Sequence, residues 1–388
     1  MVAAVRSGQP QRAVARAFSV SLATVQFWLA RAGDKALDQV DWEDGSHRPA
    51  QHPRETPEHI QKQVIEARAF LKDSDLGEYG AQAIRDYLSA RFEPTVDSVP
   101  SIATINRILS HRGVFDGRRR VRRKPPLPGW YLPDVASAHA DIDELDFVEG
   151  LYLESSRELV VLNLMSLHGG LCSSWLNENM RASFVRTCLE AHWRAHGLPK
   201  YAQFDNGNMF AGPRQFEDAI GTVIRMCLSL GVTPVFSVPN EFGIQASIES
   251  YNNQWQQKVW RRFHFESKEQ AQARSDRYVN ALRQKRKVRQ ESAPARREFP
   301  ADWQQPTQLT RTGRVIFLRR TTGQGTVEIL KRKYSVDDNW CHRLVWCEID
   351  LDRDQIYVYG LRRQDPTHQP LLRQWEYRLP DKRKHGSD

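Results

Sequence analysis

No run of apolar residues in this 388-residue chain approaches the roughly 18 needed to cross a bilayer, so no membrane span is expected. Cysteine is scarce: Cys172, Cys188, Cys227, Cys341 and Cys347 are odd in number and form no Cys-x-x-Cys pair. That argues against a disulfide framework or a zinc module and for reduced, buried thiols in a cytoplasmic protein. The first six residues, Met1 to Arg6, are too short and polar for a signal peptide. Acidic residues are outnumbered, 47 against 56 Lys and Arg, and the net charge of +9 favours a polyanionic partner. What is plentiful is core material: 40% of residues are hydrophobic and 11 are tryptophan. The length exceeds what one compact core accommodates and suggests two to four domains.

Residues 9–32 carry two short helical patterns, with Val14, Ala15 and Phe18 on the first and Val25, Trp28 and Leu29 on the second. Ser21 is placed to cap the second, and Ser19-Val20 forms a tight connection. Two such helices make a helix-turn-helix, whose second helix enters the DNA major groove. Leu22, Ala23, Gln26 and Phe27 then face outward, with Arg16 and Arg31 near phosphates. A polar linker separates this module, taken as residues 1–40, from a second of similar kind over 55–115. There Ile60, Val64, Ala67, Leu71, Ile84 and Leu88 make helical stripes, and Pro100-Ser101 opens a capped helix bearing Arg107. The cation run holding Arg119 and Arg122, followed by Pro125, Pro126 and Pro128, reads as a stiff linker over 116–136 with phosphate-contacting potential.

From about residue 138 the pattern changes to strands mixed with helices. Residues 159–164 read as a buried strand, 172–175 as its neighbour, 181–196 as a helix, 201–204 as a strand, 216–231 as a helix and 233–237 as a strand. This is an α/β layered domain. The strand at 201–204 delivers Asp205 to an Asn206-Gly207 turn. Forty-four positions later, Glu249 and Asn252 lie at i and i+3 on a helix whose inward stripe is Ile248, Tyr251, Trp255 and Val259. Asn252 on this helix is taken as a DNA contact, and Trp260-Arg261-Arg262 at its end offers cations and an aromatic to DNA. An earlier strand supplies a third acid from Asp141, Asp143 and Asp146: flanked by Leu145 and Phe147, Asp146 faces away from them, and Asp143 is the alternative.

Phe204-Asp205-Asn206-Gly207 followed by Ile248-Glu249-Ser250-Tyr251-Asn252 resembles the ribonuclease-H-like core of retroviral integrases and bacterial insertion-sequence transposases. The helix-turn-helix pair and Ser166-Leu-His-Gly-Gly170 look like the transposase branch. The resemblance covers roughly residues 9–290 and implies a catalytic triad of Asp146, Asp205 and Glu249. Glu241, 36 positions after Asp205, is a rival for the last place, but it sits in a loop with no Asn at i+3. The resemblance also implies two magnesium ions, with manganese as substitute, held by these carboxylates. Its expected activity is cleavage at element ends and strand transfer into target double-stranded DNA, without a covalent enzyme intermediate. An oligomer bringing two ends together, in the nucleoid of a bacterial cytoplasm, is expected. The competing expectation is a DNA-binding transcription regulator that no longer cuts.

The catalytic core is placed at 137–298, ending in a basic helical stretch with Lys285 and Arg286 for phosphates. Residues 305–380 alternate like strands and suggest a separate small all-β domain of the SH3-like barrel kind. The expected architecture is thus multidomain: all-α, then α/β, then all-β.

Overall fold

The computed structural model describes residues 1–43, 56–91, 99–114, 129–212, 217, 218, 220–239, 241, 243–306, 311–362, 365 and 367–379. Contacts divide the chain into two compact units, Met1–His59 and Ile60–Asp388. Among the described residues no single helix is long and apolar enough to cross a membrane.

The first unit holds α1 (Val2–Arg6), α2 (Gln11–Ala17) and α3 (Leu22–Ala32). Ser21 caps α3 by accepting from the Thr24 amide at 3.1 Å, satisfying one of the helix's orphan donors. The four residues between α2 and α3 turn the chain through 113°. Ser19, with φ of 55°, takes the sharpest part of that turn. Val14, Ala15 and Val25 bury the crossing.

The second unit begins within α4 (Glu58–Asp73), whose residues from Ile60 on share a small core with α5 (Ala81–Ser89) and α6 (Ile102–His111): Val64, Ile84, Ile105 and Leu109. Ser101 caps α6 as Ser21 caps α3. After α7 (Pro133–Ala136), β1 (Ile142–Tyr152), β2 (Glu158–Ser166) and β3 (Cys172–Asn177) form an antiparallel meander. Then follow α8 (Ala182–His196), β4 (Tyr201–Phe204), α9 (Asn208–Ala211), α10 (Thr222–Ser229) and β5 (Thr233–Phe236). Strands β4 and β5 line up parallel to β1. Next come α11 (Ala246–Lys258), a 3-10 turn at Trp260–Arg262, α12 (Lys268–Lys285) and α13 (Lys287–Glu291).

Two helical layers sandwich this sheet. Leu145, Leu162 and Leu164 pack on one face with Val185, Leu189 and Trp193 of α8. Val148, Val161 and Met165 pack on the other with Ile248, Tyr251 and Trp255 of α11 and Tyr278 of α12. Strand β2 is buried on both sides, which explains its nearly unbroken apolar run.

The C-terminal part departs from expectation. Strands β6 (Arg314–Arg320), β9 (Leu344–Asp350), β10 (Gln355–Gly360) and β11 (Leu371–Glu376) continue the core sheet instead of closing a separate barrel. The join is β6, which pairs parallel with β5 through Val235–Ile316 and Phe236–Phe317. Phe317 stacks on Phe236 at 5.0 Å between centroids. The full order is β11-β10-β9-β6-β5-β4-β1-β2-β3, with β7 (Thr326–Ile329) and β8 (Arg332–Ser335) forming a separate hairpin. The expected linker also differs. Trp130, Tyr131, Leu132 and Val135 are core residues of the second unit, whereas 115–128 lie outside the described residues. The helix expected over 216–231 starts only at Thr222.

Candidate active site

Strand alternation decides which acids of β1 reach the site. Asp143 points to the α8 side. It is fully buried, accepts both Arg296 guanidinium nitrogens at 2.9 and 2.7 Å, and accepts the Trp193 indole N–H at 2.9 Å. Burial opposes its ionisation, but Arg296, His192 and Trp193 outweigh this and hold the carboxyl below its usual range. It is a structural ion pair on the opposite side of the sheet from α11.

Asp146 points to the α11 side, opposite Asn163 of β2. Its Oδ1 accepts from the Phe147 amide at 2.9 Å and its Oδ2 from Asn252 Nδ2 at 2.8 Å. Asn252 in turn accepts from Asn163 Nδ2 at 2.8 Å. Burial and then the charge of Asp205 push Asp146 up to about 7; the two hydrogen bonds oppose this and Glu249 adds to it. The carboxylates at the β4 end and on α11 therefore both bear on the one carried by β1.

Asp205 follows β4, beside β1 in the sheet. Its Oδ1 accepts from the Gly207 amide at 2.8 Å. The Asn206-Gly207 pair is not a hairpin turn but the entry to α9, with Gly207 as the N-cap at φ −60°. A Cβ on Gly207 would stand 2.9 Å from the Asp205 carboxylate and 2.3 Å from Met209 Sδ, so a side chain there would displace Met209 and press on Asp205. Glu249 lies exposed in the first turn of α11 and accepts from the Gly243 amide at 3.3 Å. Glu241 instead meets Arg320 of β6 through both oxygens, at 2.8 and 2.7 Å.

One acid of the site escaped notice in the sequence. Glu144, two residues before Asp146 on the same face, is buried and accepts from the Ile248 amide of α11 at 2.9 Å. Burial pushes it up to about 8, that amide opposing and Glu249 and Asp141 adding. The i, i+2 spacing from Asp146 was the available signal. Glu144 anchors the helix that carries Glu249.

The carboxylate and amide oxygens here are the hard donors that magnesium takes. Burial raises Asp146 most, and the neighbouring carboxylate charge that adds to it is what a divalent cation would neutralise. As they stand, however, no three His, Cys, Asp or Glu among the described residues converge closely enough to hold one ion.

The nominated nucleic-acid contacts divide by placement. Arg16, Gln26, Arg107 and Arg261 are exposed. Arg31 lies over Trp28 and 3.8 Å from Asp41. Asn252 is buried against Asp146 and so is placed to orient that carboxylate, not to meet DNA. Arg262 donates to the Ser74 and Lys72 carbonyls at 2.9 and 2.5 Å, Lys285 pairs with Glu78, and Arg286 donates to the Gly170 carbonyl at 3.0 Å. These three already have partners within the second unit. Arg119 and Arg122 lie outside the described residues.

No protein-family model and no curated protein matches this chain. Among solved structures, the catalytic core domain of BIV integrase is similar at 14% identity and a TM-score of 0.27, over 37% of this chain and 82% of that one. A simian T-cell lymphotropic virus intasome, in complex with PP2A regulatory subunit B56 gamma, is similar at 12% identity and a TM-score of 0.33. That match covers 70% of this chain and 85% of the other. At such low identity and TM-score, the reading of the site rests on its own geometry.

Proposed function

We propose that the chain is a DNA transposase of the integrase type, which binds the ends of an insertion element and catalyses metal-dependent cleavage and strand transfer. The observation that carries this is the geometry that brings three acids together: Asp146 on β1, Asp205 at the end of the adjacent β4, and Glu249 on the helix whose Asn252 donates to Asp146. These three would hold the magnesium ions. When bound, magnesium supplies Lewis-acid activation of a water or a DNA 3′-hydroxyl and neutralises charge on the leaving oxygen. Asp146 would serve as a ligand in its carboxylate form, Asn252 fixes its orientation, and Glu144 holds the first turn of α11. Helix α3, with Gln26 exposed, and α6, with Arg107 exposed, would supply DNA contacts outside the reaction centre. A homo-oligomer would pair the two ends, in the cytoplasm of a bacterium.

One observation favours a second reading, a DNA-binding regulator without cutting activity: the three carboxylates do not close on one ion as they stand. The purified protein with Mg²⁺ and a labelled duplex bearing the ends of its own genomic element separates the two. Nicking or joining that is lost in Asp146→Asn, Asp205→Asn and Glu249→Gln, with binding retained, supports the transposase. Specific binding without metal-dependent cutting in any version supports the regulator.

A further inference from the structure

A cavity of about 500 Å³ opens beside Asn206, one residue past Asp205, against the strands that extend the core sheet. It is of a size that takes a small organic ligand. Its apolar walls include Pro239, Val327 and Leu330; its cations are Arg319, Arg320 and Lys331.

The three cations are not equivalent. Arg320 is neutralised by Glu241. Arg319 is half-buried and bonded only to neutral oxygens: the carbonyls of Glu328 at 3.2 Å, Ser237 at 3.3 Å and Leu318 at 2.8 Å, and Asn206 Oδ1 at 2.9 Å. Burial pulls it down to about 10, with Cys347 and Glu328 opposing, so it remains charged at neutral pH. It makes no ion pair among the described residues, and one of its five N–H groups remains for a ligand. A cation withdrawn from water without a counter-ion is costly unless an anion arrives.

Lys331 is exposed and also without an ion pair among the described residues. It occupies the tip of the β7–β8 hairpin, where Ile329 pairs with Arg332 across two residues. Leu330 and Lys331 hold φ of 45° and 69°, the left-handed region that such turns normally fill with Asn-Gly. Side chains there are strained by roughly 1–2 kcal/mol per residue. The strain keeps a cation and an apolar side chain at the cavity where Asn and Gly would fold more easily.

We infer that this cavity binds one nucleotide unit of the DNA strand passing the active site, its phosphate on Arg319 and Lys331 and its base against Pro239 and Leu330. The inference rests on the proposed DNA-cutting function and gives the strand a place beside Asp205. Arg319 has a second task. It holds Asn206, whose Nδ2 donates to the Ser237 carbonyl at 2.7 Å, and so positions the turn after Asp205.

The test uses the full chain and a short single-stranded oligodeoxynucleotide with 2-aminopurine at successive positions, without divalent metal. Fluorescence should change at one position, and an abasic site there should weaken binding. Lys331→Gln should weaken it several-fold and reduce the salt slope by about 0.7, the single-strand value for one phosphate contact. The double variant Leu330→Asn, Lys331→Gly should melt higher than the wild type yet bind less tightly. Magnesium-dependent cutting by the same preparations separates the two claims. Wild-type cutting with binding untouched by both variants overturns the nucleotide site and leaves the function standing. Weakened binding in both variants without cutting by the wild type supports the site and removes the transposase. No binding of the oligonucleotide by the wild type overturns the site.

Discussion

Asn252 donates to Asp146 at 2.8 Å while accepting from Asn163, so the helix bearing Glu249 also fixes the carboxylate on the strand beneath it. Removing a group that orients a metal ligand typically lowers activity 10- to 100-fold. Asn252→Ala is expected to fall in that range. Because the hydrogen bond lowers the Asp146 pKa, its loss should also move the acid limb of the pH–rate profile upward. A merely structural residue would leave that limb in place.

Asp146 at about 7 and Glu144 at about 8 hold protons more tightly in the folded protein than at their ordinary values of 3.8 and 4.5. The folded state therefore binds more protons than the unfolded one across this window. This contribution to stability is complete below about pH 4 and is lost as pH rises through about 7 and 8. Metal-free protein should melt progressively lower from about pH 5 to pH 8, and Asp146→Asn should fall less steeply. Parallel curves would show that Asp146 titrates normally.

Asp143→Ala should be far more destabilising than Asp146→Ala. It strands Arg296 and the Trp193 indole in the interior, and breaking a buried pair in this way costs roughly 3–5 kcal/mol. Urea unfolding of the two variants gives the comparison directly. Equal losses would contradict the division of the β1 acids between two faces.

Arg261 and Arg262 are neighbours with different expected phenotypes. Arg261 is exposed, so Arg261→Ala should weaken DNA binding and reduce the salt slope by about one. Arg262 and Lys285 are engaged by the last turn of α4 at Lys72 and by the α4–α5 connection at Ser74 and Glu78. Arg262→Ala and Lys285→Ala should instead lower the melting temperature, with smaller effects on the slope. Salt titrations and melting curves of all three variants provide the check.

The facing of the candidate residues was legible because periodicity speaks to facing. The stripe of Ile248, Tyr251, Trp255 and Val259 is buried as its spacing implied, and the flanking of Asp146 by Leu145 and Phe147 gave its direction. The order of elements from β1 to β5 follows the same patterns. Periodicity does not name partners, and there the sequence ran out. Alternation over 314–359 marked strands but not that β6 would pair with β5, a join made through two residue pairs. Nor could a cation run reveal that Lys285 meets Glu78 and Arg296 meets Asp143, contacts between segments far apart in the chain. Asn252 looked like a polar face residue because its partners, Asp146 and Asn163, lie on strands read separately.

The most direct test compares single-turnover cleavage of a labelled element end in Mg²⁺ by the wild type, Glu249→Gln and Glu241→Gln. The position of Glu249 on the helix whose Asn252 donates to Asp146, and of Glu241 in an ion pair with Arg320, predicts that Glu249→Gln abolishes cleavage while Glu241→Gln largely retains it. Cleavage that survives Glu249→Gln would contradict the three-carboxylate site.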